Sequence, residues 1–218
     1  MLKLEDFIRE FPVIRMTDRD VEIPVLLEFI HKIFPIDSLL DIGCHGTHNY
    51  YANELRKFVN HYDGVDILPD SETAKILDHY IVGNALEFPY TRQFDTVVCL
   101  SAIEHSGVST YKKTNIQEEQ NQLFKQCLDL ARKHLWISFH IGQEYVYPDE
   151  FSTITGEQLE LWEKLTQDYK VTERFFYNQG PQAKHPWYEH AKRDVAVRIP
   201  YIDYIGNQSV AILEIDKS

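Results

Sequence analysis

Apolar and polar positions change period several times along the chain. From about Asp20 to Phe34, Val21, Val25, Leu26, Phe29, Ile30 and Ile33 recur at helical spacing. They form one face of a helix that Pro35 ends. The pattern then breaks into short apolar runs: Ser38 to Ile42, Tyr62 to Ile67, Tyr80 to Val82, Phe94 to Leu100 and Leu135 to Phe139. Runs of this length, closed by glycine or turn residues, predict buried strands. Helical patterns fall between and after them, over 49–59, from Ser71 through Asp78, over 115–133, and over 155–167 with Thr155 as the cap. Two last strand patterns, Lys170 to Tyr177 and Gln208 to Ile215, have no helix evident between them.

Strands that alternate with helices need crossovers, and crossovers make parallel sheets covered on both sides. The expected fold is α/β: a doubly wound, mostly parallel seven-stranded sheet with helices on both faces and the last strand antiparallel. One domain is expected over residues 1–218, with a helical lead over 1–36. The aromatic stretch 178–207 is too long for an ordinary connection and reads as a lid insertion.

Composition narrows the partners. Hydrophobic residues make up 44% and charged residues 26%, a balance that supports a packed core. The net charge of -12, with Lys and Arg totalling 22, works against a phosphate backbone, so a nucleic-acid partner is disfavoured. Anionic membranes are disfavoured on the same ground. No apolar run approaches the ~20 residues that span a bilayer, and the stretch from Met1 to Phe11 lacks the apolar core of a signal segment. Cys44, Cys99 and Cys127 form no paired framework. A reduced, cytoplasmic protein acting on a small molecule is expected; oligomeric state is left open.

In doubly wound sheets, ligands bind beyond the carboxyl ends of the strands. Four such ends carry suggestive residues. Asp41-Ile42-Gly43-Cys44-His45-Gly46 closes the first strand, and a glycine there lets the backbone turn and approach a ligand. The spacing does not fit the dinucleotide pattern G-x-G-x-x-G, and an acid inside the strand suits a cationic, phosphate-free ligand. Asp66, followed by Ile67, ends the second strand, where a carboxylate can accept both ribose hydroxyls. Gly83-Asn84-Ala85 ends the third, where Asn84 can pair with an adenine edge. Ser101-Ala102-Ile103-Glu104-His105 follows the fourth and brings a carboxylate and an imidazole to the cleft.

Taken in order, these segments resemble the class I methyltransferases, over roughly Ser38 to Gly142. More narrowly, Tyr50-Tyr51-Ala52, Gly64-Val65-Asp66-Ile67, Ile103 to Gly107 with Tyr111, and Phe175 to Tyr177 with Trp187 resemble small methyltransferases of polysaccharide and secondary-metabolite gene clusters. The resemblance implies S-adenosylmethionine as methyl donor. It places Asp41, Gly43, Cys44, His45, Gly46, Asp66, Ile67, Asn84, Ala85 and Ser101 around that cofactor. It implies O-methylation of a small hydroxylated acceptor such as a sugar, with N-methylation of a small amine as the alternative. His105, His140 and Glu104 are the candidate catalytic groups, since a hydroxyl nucleophile must lose its proton. His185, Trp187, Tyr188 and His190, in the expected lid, are candidates to grip a substrate.

One departure stands out. His45 and Thr47 occupy positions where the family's first motif has glycines. This keeps open a protein of the same fold that binds without catalysis. Some small-RNA methyltransferases carry E-x-x-E-H after the fourth strand and hold a divalent metal; here Ser101 replaces the first Glu, so a metal is not favoured.

Overall fold

In the computed structural model, which describes residues 18–108, 115–147, 151–179, 187–190, 192–200 and 207–218, the first element is helix α1 (Arg19–Ile33). Asp18 caps it, accepting from the Arg19 amide at 3.1 Å. The one-sided stripe expected here is too modest. Every residue from Val21 to Leu27 is buried, Glu22 included. The reason is position: α1 packs in a cluster with residues of β1 (Ile36–Ile42), β4 (Phe94–Leu100), β5 (Ala131–His140), β8 (Lys170–Gln179) and β10 (Asn207–Asp216).

The remaining elements are α2 (Ala52–Leu55), β2 (Val59–Asp66), β3 (His79–Val82), α3 (Ile116–Leu130), β6 (Val146–Tyr147), β7 (Phe151–Ser152), α4 (Gly156–Leu165), β9 (Tyr188–His190) and α5 (Arg193–Ala196). The main sheet runs β3-β2-β1-β4-β5-β10-β8-β9. β3, β2, β1, β4 and β5 are mutually parallel. β10 lies antiparallel between β5 and β8. The doubly wound sheet with its antiparallel last strand is therefore present. The two final long strands, β8 and β10, pair antiparallel with each other inside the sheet. A short eighth strand, β9, comes from within 178–207 and pairs with β8.

Strand alternation divides the core in two. Leu39, Val98, Trp136 and Ile212 face α1 and α2. Their neighbours Leu40, Val97, Ile137 and Leu213 face α3, α4 and α5. Both faces are covered, which is why the central strands read as continuous apolar runs. Thr155 caps α4 in a reciprocal box with Gln158.

Two boundaries moved for physical reasons. The helix expected over 49–59 shrinks to α2, because Val59 pairs with Ile36 and starts β2 early. Asn60 and His61 hid that start, being exposed at the outer end of the strand. β5 begins at Ala131, directly after α3, where a register shift beside Phe94 and Thr96 lets Arg132 and Lys133 pair with buried Asp95.

Of the expected lid, 178–179 finish β8, 207 starts β10, and 187–190 and 192–200 are described and docked. Arg174 holds Glu189 through two 3.0 Å bonds and Glu28 of α1 at 3.2 Å. Ile199 accepts from the Gln143 amide at 3.0 Å. His185 and Tyr111 lie outside the described residues. No helix among the described residues is long and apolar enough to cross a membrane.

Candidate functional site

The ends of β1, β2, β3 and β4 lie side by side on one edge. Ile42 is in register with Val65 and Cys99, Asp66 with Val82, and Leu100 with Ser138 of β5. The parallel sheet thus brings the four sequence segments to one edge.

Gly43 turns the chain out of β1 at φ 80°, and its amide donates to the Val65 carbonyl at 2.9 Å. A Cβ there would stand 2.2 Å from the Ala102 Cβ. Gly43→Ala should therefore cost about 2–3 kcal/mol, from the left-handed backbone and from overpacking. A urea midpoint within error of wild type would refute this. Gly46 needs glycine for its φ of 74° alone, since nothing lies within 4 Å of a Cβ built on it.

The loop lacking two glycines is held from outside by acids. The His45 amide donates to Asp66 Oδ2 at 2.9 Å and the Gly46 amide to Asp70 Oδ2 at 2.8 Å. Asp70 also accepts from Thr73 Oγ1 at 2.6 Å and lies 3.2 Å from His48 Nδ1. Thr47 closes the loop from within, Oγ1 donating to the Cys44 carbonyl at 3.0 Å. Cys44 itself is buried, and burial pushes its thiol well above the ordinary range, so it acts as filler. Its Sγ would be 2.6 Å from a Cβ on Gly64, which explains that glycine.

Asp41 is fully buried on the α1 side of the sheet, where Tyr62 donates to it at 2.8 Å and Tyr51 at 3.1 and 3.2 Å. Burial, aided by the charge of Asp66 and opposed by the two hydroxyls, raises its pKa to about 7. Asp66 accepts the Leu68 amide on Oδ1 at 2.8 Å and the His45 amide on Oδ2. Each oxygen has two lone-pair directions, so both keep one for a further donor. Ile67 beside it is exposed. The Asn84 Oδ1 accepts from the Leu86 amide at 3.0 Å, a local turn bond, and Ala85 packs half-buried against the core.

Ser101 follows β4 at φ 42°, a left-handed conformation unusual for a non-glycine residue and characteristic of functional sites. Its amide donates to the Ser138 carbonyl at 3.1 Å, and its Oγ donates to Glu22 of α1. Glu104 follows and is fully buried. His105, exposed, and His140 both pack against the Phe151 ring, at centroid distances of 6.1 and 5.3 Å. His140 Nε2 lies 3.4 Å from Asp18. Burial opposes charge on this imidazole, but the bond and charge of Asp18 outweigh it and raise its pKa.

Sequence reasoning missed Asp18, Arg19 and Glu22, which α1 delivers to the ends of β4 and β5, and missed Tyr51 and Tyr62 around Asp41. One signal was available: Glu22 stands between Val21 and Ile23 in an otherwise apolar run. Among the described residues, no group of three or more His, Cys, Asp or Glu is placed to hold a metal ion.

No family model and no curated protein sequence matches the chain. Solved structures do resemble it in fold. A SAM-dependent methyltransferase from Archaeoglobus fulgidus aligns over 97% of this chain and 100% of its own, with a TM-score of 0.57 and 16% identity. The N-methyltransferase NodS from Bradyrhizobium japonicum WM9, in complex with S-adenosyl-L-homocysteine, aligns over 99% and 97%, at 0.53 and 11%. The magnesium protoporphyrin IX methyltransferase of Synechocystis PCC 6803, with bound SAM, aligns over 93% and 85%, at 0.51 and 14%. The chain thus has the Rossmann-like fold of the SAM-dependent methyltransferases.

Proposed function

We propose that this protein is an S-adenosylmethionine-dependent methyltransferase that O-methylates a small hydroxylated acceptor, working as a single domain. The observation that carries the reading is the alignment, on one sheet edge, of the Gly43 turn, Asp66, Asn84 and Ser101. In this reading Gly43, Cys44, His45 and Gly46 form the loop beside the cofactor. The free lone pairs of Asp66 take the ribose hydroxyls. Ile67, Asn84 and Ala85 face the adenine, while Asp41 and Ser101 face the methionyl end. S-adenosylmethionine supplies a methyl group already activated on a sulfonium. What remains for the chain is to align the acceptor and to remove its proton. Asp18 holds His140 towards its protonated form, suiting it to donate a hydrogen bond, so His105 takes the base role.

The acidic total supports a small acceptor over a nucleic acid. A second reading, a protein of this fold without catalysis, draws on one observation: the His45 and Gly46 amides are already engaged by Asp66 and Asp70. Titration calorimetry separates the two. The proposal expects saturable binding of S-adenosylmethionine, and a roughly 10- to 100-fold loss in Asp66→Asn, the worth of hydrogen bonds to a charged group. Absence of binding by the wild type, or tighter binding of a nicotinamide dinucleotide, would overturn it.

A further inference from the structure

Three acids and two bases meet where β4 and β5 end. Asp18 and Glu22 come from the start of α1, and Glu104 from the turn after β4. Arg19 Nη1 lies 2.6 Å from Glu22, and His140 Nε2 lies 3.4 Å from Asp18. Asp18 and Glu22 thus each pair with one base, whereas among the described residues Glu104 acts on Arg19 and His140 through charge alone, with no ion pair or hydrogen bond. Its side chain is fully buried, and neither carboxylate oxygen has a hydrogen-bond partner among the described residues.

A buried carboxylate without donors is costly to a folded chain, and a site that keeps one calls for a ligand that supplies them. The backbone around Glu104 is pinned. Gln120 of α3 donates to the Glu104 carbonyl at 3.3 Å and to Ser152 Oγ at 2.8 Å, and Gln158 donates to Gln120 at 2.9 Å. The carboxylate is thus carried on a rigid, fully satisfied support.

Its place in the sheet says which ligand it serves. Asp66 and Asn84 follow β2 and β3, on one side of the β1 loop. Glu104, His105 and His140 follow β4 and β5, on the other side, where the acceptor approaches in the proposed reaction. The local charge says what chemistry it takes. Among the described residues three carboxylates face one guanidinium and one imidazole, so a neutral hydroxyl adds nothing to balance the third carboxylate there, whereas a cation does.

We propose that Glu104 anchors a protonated amine of the acceptor, which makes the acceptor a small hydroxylated molecule that also carries an amine, of the amino-sugar or amino-alcohol kind. The proposal rests on the methyltransferase reading above. Glu104 is a specificity residue in it: the ammonium supplies the donors that its buried oxygens do not find among the described residues.

The test is calorimetry on wild type and Glu104→Gln, with S-adenosylmethionine first. The complex with S-adenosylhomocysteine is then titrated with glucosamine and with the neutral controls glucose and N-acetylglucosamine. Wild type should bind glucosamine at least about tenfold more tightly than either control, as a charge-assisted bond to a buried carboxylate requires. Glu104→Gln should reduce that preference to about twofold or less, with S-adenosylhomocysteine affinity kept within about twofold. It should also raise the melting temperature of the ligand-free protein, because it replaces a buried carboxyl whose oxygens find no donor among the described residues. No preference in wild type, or a preference that survives in Glu104→Gln, would overturn the proposal. So would a roughly tenfold fall in S-adenosylhomocysteine affinity, which would make Glu104 a cofactor ligand. A variant that melts below wild type would make the charge structural, with the same consequence. If wild type binds no S-adenosylmethionine, the methyltransferase reading fails and this proposal with it; binding without amine preference fails this proposal alone.

Discussion

Arg19→Met should destabilise the protein by about 3–5 kcal/mol at neutral pH, the range for removing one partner of a buried ion pair. Glu22 is 0% exposed and depends on Arg19 at 2.6 Å. The other bond to its carboxylate comes from Ser101, which brings no charge. The lower end of the range is expected, since the Arg19 side chain is 29% exposed and water screens part of the pair. Burial already raises the Glu22 pKa and Arg19 counters it. Without the guanidinium the carboxyl will bind a proton, so the loss should shrink as pH falls and Glu22 becomes neutral. Arg19→Met/Glu22→Gln should recover most of the stability, because no charge is left stranded. Urea unfolding of the three proteins at pH 7 and pH 5 measures both effects. A single-variant loss under about 1 kcal/mol, no better than an exposed pair, would show that Glu22 is not sealed as described.

The second large effect is a pH dependence centred on Asp41. Its carboxyl sits at about 7 in the folded protein against 3.8 as an ordinary aspartate. A group that binds its proton more tightly folded than unfolded releases it on unfolding. Stability is therefore fully present below about pH 4 and is lost as pH rises towards and through 7. The rise corresponds to about 4 kcal/mol. Asp41→Asn keeps an acceptor for the Tyr51 and Tyr62 hydroxyls but cannot ionise. Its stability should change less between pH 4 and 8, and the difference between the two proteins isolates this group from every other titration. Parallel curves for wild type and variant would contradict the account.

The Arg19–Glu22 pair is local to α1, but the burial that gives it weight comes, like the Tyr62 bond to Asp41, from distant parts of the chain, and this explains what could be read in advance. The strand-ending motifs were legible because a buried parallel strand must be an apolar run and its ligand edge must be its carboxyl end. Phe94 to Leu100 shows the strength of this signal, since the run and the strand coincide. Asp66 and Ser101 stand at strand ends for the same reason. Short elements were harder. β9 has three residues and earns its place only by pairing with β8. The start of β2 carries polar residues that solvent permits at the rim.

The sequence by itself determined the alternation of strands and helices, the two-sided burial of the central strands, and the order in which Gly43, Asp66, Asn84 and Ser101 reach the carboxyl edge of the sheet. Those are consequences of local period, glycine geometry and the chirality of crossovers, all encoded within short windows. The tertiary structure alone decided that α1 lays Asp18, Arg19 and Glu22 over the ends of β4 and β5, that Tyr51 and Tyr62 enclose Asp41, and that Glu104 is buried without a hydrogen-bond partner for its carboxylate among the described residues. Burial and charge pairing are properties of which surfaces meet, and residues 79 positions apart, such as Glu22 and Ser101, carry no mark of each other until the chain has folded.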